Sequence, residues 1–198
     1  MIRLAENIVA HMKRLPEGTP AGAKEFLHLG ARAAVDQTLA RLARRNVLLR
    51  AGRGAYVLPV ETRFGTRAPS VEKVVEAFAE SRGEIVAPHG AVAANALGLT
   101  TQVPVHAIYL TSGRSRNLNL GAQVVEFRHA PKWQLTLAKQ PGGEVVRALA
   151  WLGPEEGPKA LEILKRQMPE TTLAQVAAVR SRLPTWMAEQ VSRLVAHV

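Results

Sequence analysis

The stretch Gly30 to Arg45, GARAAVDQTLARLARR, constrains this chain more than any other. Val35, Leu39 and Leu42 fall on one helical face, and Gln37, Arg41 and Arg44 repeat the same spacing on the opposite one. One side of such a helix packs into a small core while the other shows an amide and guanidinium groups to solvent. That is the make-up of a helix that enters the major groove of DNA. An ordinary surface helix with a solvated basic face fits the same pattern, so the flanking segments carry the decision.

Residues 2–14 predict a helix with Leu4, Ile8 and Met12 turned inward, broken by Pro16 and Gly18. Thr19-Pro20 predicts the start of a second, short helix through Ala23, Phe26 and Leu27, ending near Gly30. The helix above follows and stops around Asn46, a residue that tolerates the left-handed conformation. Leu48 to Arg50 and Ala55 to Leu58 read as two short strands around Gly52-Arg53-Gly54. Three helices and then a hairpin is the order of a winged helix-turn-helix, expected here over residues 1–60. At the helix start, Arg32 suits a bidentate contact to guanine, and Gln37 suits adenine. Arg41, Arg44 and Arg45 lie further along and suit phosphates. Arg50 and Arg53 suit phosphate or the minor groove, and Tyr56 is expected to pack under the wing.

Charge points the same way. The formal net charge is +10, and residues 1–67 hold 12 Lys/Arg against 5 Asp/Glu, while residues 68–198 hold 14 against 11. A basic first third beside a nearly balanced remainder suggests a polyanion-binding module. The chain has no cysteine, which excludes disulfides, thiolate nucleophiles and cysteine-based zinc sites. No apolar run reaches the length of a membrane span, and the start, MIRLAENIVAHMKRL, is amphipathic rather than a signal peptide. A cytoplasmic protein is expected.

Pro59 to Pro69 carries two prolines and no clear period, so residues 61–69 are expected to be a linker and residues 70–198 a second domain. Ser70 predicts the cap of a helix through Arg82, closed by Gly83. Glu84 to Ala87 reads as a short strand, Pro88 to Leu97 as a small-residue helix, and Val105 to Thr111 and Ala122 to Arg128 as better strands. Ser112 to Gly121 reads as a polar basic turn between them. Helices are expected at about 143–152, 155–167, 171–182 and 185–197. The fold class expected is therefore α+β: a winged helix-turn-helix, then a mixed domain with a small antiparallel sheet and a helical tail.

Catalytic constellations are poor. Asp36 is the only aspartate and lies in the proposed recognition helix. Glu84 and Glu126 on one sheet would be the sort of pair a metal-dependent nuclease uses, but no aspartate accompanies them. Packing or capping is the default for His89, His106 and His129, and Ser112 and Ser115 have no evident base. Neither enzymatic activity, a metal nor a cofactor is expected.

Two stretches, Phe26 to Tyr56 within FLHLGARAAVDQTLARLARRNVLLRAGRGAYVLP and residues 88–131 with PHGAVAANALGLTTQVPVHAIYLTSGRSRNLNLGAQVVEFRHAP, together resemble the DUF6088 group within the AbiEi family. Members of that family are antitoxins of type IV toxin–antitoxin systems. The resemblance implies a winged helix-turn-helix that binds inverted repeats in its own promoter DNA and represses the operon. It also implies a second domain that counteracts a nucleotidyltransferase toxin. One winged helix reads a short site, so inverted repeats would need two copies, which could be monomers in solution that pair on DNA. The DNA role would fall on Arg32, Gln37, Arg41, Arg44 and Arg53, and the second-domain motif on Asn95, Gln102, Arg114, Ser115 and Arg116. Ala31 stands where a capping serine is frequent, which leaves the start of the recognition helix less firmly held. A stand-alone winged-helix regulator with a ligand-sensing or dimerising second domain is the alternative.

Overall fold

The computed structural model describes residues 2–196, in which helices dominate and the strands are short. The chain divides into two compact units. The first comprises residues 1–84 and 116–126, the second residues 85–115 and 127–198.

The first unit opens with α1 (Ile2–Met12), which buries Ile8 and Met12 as the spacing predicts. The second helix is reduced to a 3-10 turn, Ala23–Phe26, started by Gly22, whose amide donates to Glu25 Oε1 at 2.9 Å, rather than by Thr19. α2 (Arg32–Arg44) follows and buries Val35, Leu39 and Leu42 against Ile8, Met12 and Phe26. Its start has no side-chain cap at Ala31, and it ends before Asn46, which takes φ 57°. β1 (Leu49–Gly52) and β2 (Ala55–Val57) form an antiparallel hairpin with Arg50 opposite Tyr56. Ala21 bridges to the other edge of Tyr56, whose ring is buried in the same core.

The segment expected to be a linker is a second hairpin instead, β3 (Val60–Thr62) and β4 (Gly65–Arg67), paired antiparallel with Glu61 opposite Thr66. α3 (Val71–Arg82) starts at Ser70, whose hydroxyl accepts from the Lys73 amide at 3.2 Å, and ends at Gly83 with φ 63°. α3 belongs to the first unit, and Glu17 and Gly18 seat it there. Glu17 Oε1 accepts from the Ser70 amide at 3.0 Å, its other oxygen pairs with Lys73, and Arg67 lies 3.5 Å away. Gly18 has φ 84°, and a Cβ on it would stand 2.8 Å from the Val74 amide nitrogen, so only glycine fits between the loop and the helix.

These partners hold the Glu17 carboxyl below its ordinary pKa, the Lys73 hydrogen bond contributing most and the Ser70 amide next. A carboxylate so depressed stabilises the fold above its unfolded pKa, and that stabilisation is lost as pH falls through the folded value. Thermal melts from neutral pH down to about pH 3 are therefore expected to show a shallower acid limb for Glu17→Gln than for wild type. Parallel acid limbs would show that Glu17 carries none of the acid sensitivity.

The second unit begins with β5 (Val86–Pro88), which pairs antiparallel with β6 (Ala107–Thr111), Ala87 opposite Leu110. Between them lies α4 (Gly90–Ala96), capped by His89, whose Nδ1 accepts from the Ala91 amide. The stretch read as a basic turn contains a strand, β7 (Arg116–Leu120), because Leu118 and Leu120 alternate inward with Arg116, Asn117 and Asn119 less buried. β8 (Gln123–His129) completes a strand order β5-β6-β8-β7. β7 and the first part of β8 belong to the first unit, where Leu118 lies 3.7 Å from the Cβ position of Gly52.

The helical tail begins with α5 (Pro141–Gln167), two expected helices joined across a kink at Gly153, φ 77°, ahead of Pro154. α6 (Glu170–Ala178) and α7 (Thr185–Ala196) pack on it around Val146, Leu149, Leu161, Leu164, Val176 and Met187. The end of the last expected helix, at residue 197, lies outside the described residues. Ala93 and Ala94 of α4 meet Ala148 of α5, a junction of small residues that lets the backbones approach closely.

Candidate functional site

The polar face of α2 is the best-defined surface of the first unit. Gln37, Arg41 and Arg44 line a recess together with Leu4 and Ala34, as their common spacing requires. Arg44 also lines a second recess with Ala40, Ala43 and Arg50, so it joins the helix face to β1. Arg44, Arg45, Arg50 and Arg53 are exposed, and Arg41 is half-buried. The structure thus brings Gln37, Arg41, Arg44 and Arg50 to one continuous surface, while Arg53 stands at the tip of the β1–β2 hairpin.

Arg32 is engaged differently. Its Nε donates to Asp36 Oδ2 at 2.9 Å, an exposed i,i+4 pair on the first turns of α2. The pairing neutralises the end of the helix expected to read guanine, and it also ties down a first turn that Ala31 leaves uncapped. The i,i+4 spacing of Arg32 and Asp36 was the available signal.

The motif expected in the second domain is engaged largely in hydrogen bonds within the fold, and its Arg116 falls in the first unit. The Asn95 side-chain amide donates to the Thr100 carbonyl at 3.2 Å, and the Gln102 amide donates to the Thr100 hydroxyl. Ser115 Oγ accepts from the His129 amide at 2.9 Å, and His129 Nδ1 donates to the Gly113 carbonyl at 2.8 Å. Ser112 Oγ accepts from the Ile85 amide, fixing the start of the same loop. Arg116 grips Glu84 through two hydrogen bonds, 3.1 and 2.8 Å, with both side chains largely buried. Glu84 is thereby paired with a guanidinium. Arg114 is exposed on the turn. Among the described residues no group of three or more His, Asp or Glu is placed to hold a metal ion.

Two features escaped the sequence reading. Arg147 of α5 is 1% exposed, and its Nε and Nη1 meet no hydrogen-bond partner among the described residues. Burial pulls its guanidinium below the ordinary pKa, while Glu144 beside it pulls the other way. The second is the β3–β4 hairpin, which adds Arg63 and Arg67 to the exposed cations of the first unit.

A family model described as a family of unknown function, DUF6088, matches residues 7–172. The chain belongs to this family. No curated protein and no solved structure matches it. The match takes in parts of both units of this DUF6088 protein, from α1 to the start of α6, and stops short of α7. No described helix is long and apolar enough to cross a membrane.

Proposed function

We propose that this DUF6088 protein is an antitoxin and autorepressor: its first unit binds duplex promoter DNA as a winged helix-turn-helix, and its second counteracts a nucleotidyltransferase toxin. The observation that carries the DNA half is the continuous surface of Gln37, Arg41, Arg44 and Arg50, spanning a helix and the adjoining strand. The order helix, short helix, helix and hairpin, with Ala21 bridged to Tyr56, supports a winged-helix reading. The toxin half rests on the AbiEi-like stretch over residues 88–131, of which residues 88–115 and 127–131 lie in the second unit. In this reading Gln37 reads a base edge, and the arginines hold phosphates and fix the register.

The test of the toxin half is growth. Cells expressing the gene adjacent to this one are expected to stop growing and to recover when the full chain is co-expressed. A harmless neighbour, or a toxic one the chain does not relieve, overturns it. The DNA half predicts that Gln37→Ala lowers preference for the operator over random duplex by about 1–3 kcal/mol, because a base-edge contact is lost. Binding-site selection followed by fluorescence anisotropy measures this, and equal weakening on all sequences removes Gln37 from readout.

A further inference from the structure

The second hairpin ends in an exposed aromatic. Phe64 is 85% exposed at the β3–β4 turn, and the Arg63 guanidinium lies 4.6 Å from the centre of its ring. The turn is fixed by its own side chain. Thr62 Oγ1 donates to the Gly65 carbonyl at 2.7 Å and accepts from the Phe64 amide at 3.2 Å. Gly65 takes φ 113°, a conformation that favours glycine and closes the turn tightly. Water disfavours a large apolar ring held out this way, and nothing in the fold of the first unit uses it.

The base of the hairpin is anchored near α2. Thr66 and Arg67 line a cleft of about 780 Å³ with Asn46 and Leu49, which follow directly on α2 and open β1. Lys13, at the end of α1, pairs with Glu61 of β3 at 3.7 Å. The tip therefore projects from the same unit as the Gln37–Arg50 surface and carries the Arg63 cation against the ring.

A narrow ribbon tip with an arginine beside a bare aromatic is suited to the minor groove of duplex DNA. There arginine follows the negative potential of the groove, and an apolar wedge enters between base steps and unstacks them. We infer that the Arg63–Phe64 tip is a second DNA contact, a minor-groove wedge that inserts Phe64 at a base step while α2 occupies the major groove. The inference rests on the DNA-binding reading above. A wedge stores part of the binding free energy in distortion of the duplex, so it favours flexible pyrimidine–purine steps and adds preference where no base edge is read.

The experiment uses the full chain and a fluorescein-labelled duplex of alternating A·T pairs, with a second copy of the duplex carrying 2-aminopurine at internal positions. Wild type is expected to bind and to raise 2-aminopurine emission as a base step unstacks. Phe64→Ala is expected to bind roughly tenfold more weakly, with no rise in emission and an unchanged salt slope, because stacking and not charge is lost. Phe64→Trp is expected to restore both affinity and emission change. Arg44→Ala separates the two readings, since it loses a phosphate contact but keeps the emission rise at saturation. If Phe64→Ala matches wild type in affinity and emission while Arg44→Ala weakens binding, the wedge is overturned and the DNA reading stands. Phe64 then has a protein surface as its remaining partner. If wild type does not bind duplex DNA at all, both fall.

Discussion

Gly90→Val is expected to unfold the second unit, or to leave it less stable by at least about 3 kcal/mol. Gly90 is the first residue of α4, and a Cβ there would stand 2.3 Å from the Arg147 carbonyl oxygen and 2.7 Å from Trp151 Cβ. Neither obstacle is the loose end of a side chain. One is the backbone of α5 and the other the root of a tryptophan, so the helices must separate. Separation strips Ala93 and Ala94 from Ala148, which pack only because the two backbones run so close. Even Gly90→Ala is expected to lower the melting temperature by several degrees. Val92→Ala, on the exposed side of the same helix, is the matched control and is expected to stay within about 0.5 kcal/mol. Calorimetry or thermal circular dichroism decides the matter, and a Gly90→Val protein that melts with wild type would show that α4 does not approach α5 this closely.

The other large effect is on DNA. The double substitution Arg44→Ala with Arg50→Ala is expected to weaken binding to random duplex on the order of a hundredfold at low salt, and to reduce the salt slope by about two. Both side chains are exposed and line the same recess, so their removal takes two cations from one surface without disturbing the core. Lys159→Ala, an exposed cation on α5 paired with Glu156, should change neither quantity. Anisotropy titrations over a range of salt concentrations give both numbers. An unchanged slope for the double variant would mean that this surface does not meet phosphates.

The sequence made the helical elements more legible than the strands. Val35, Leu39 and Leu42 are as buried as their period demands, and Ser70, Gly83 and Asn46 act as the terminators their chemistry suggests. The Gln37–Arg41–Arg44 face followed from the same period. The junction of Arg44 with Arg50 did not, because it depends on the turn that carries the chain from helix to strand. The β3–β4 hairpin was hidden because its strands are only three residues long and every residue from Glu61 to Arg67 is exposed, so no alternation marks it. β7 did carry a signal in the alternation RNLNL, obscured by the glycine, serine and arginine before it. The ion pairs of Glu17 with Lys73 and of Glu84 with Arg116 join positions far apart in the chain, and no local pattern announces such partners.

The two units are interleaved along the chain: the first closes with residues 116–126, after residues 85–115 have been given to the second. During synthesis, then, the unit carrying the Gln37–Arg50 surface cannot acquire β7 against β1 until residue 120 has emerged, after residues 85–115 of the second unit. The amino-terminal portion alone is therefore not the complete first unit. A ribosome that stalls before β7 releases a fragment lacking Leu118 and the Arg116 partner of Glu84, and therefore lacking part of its own core. Such a chain is a substrate for proteolysis, so its supply of complete first units is tied to completion of translation through most of the gene.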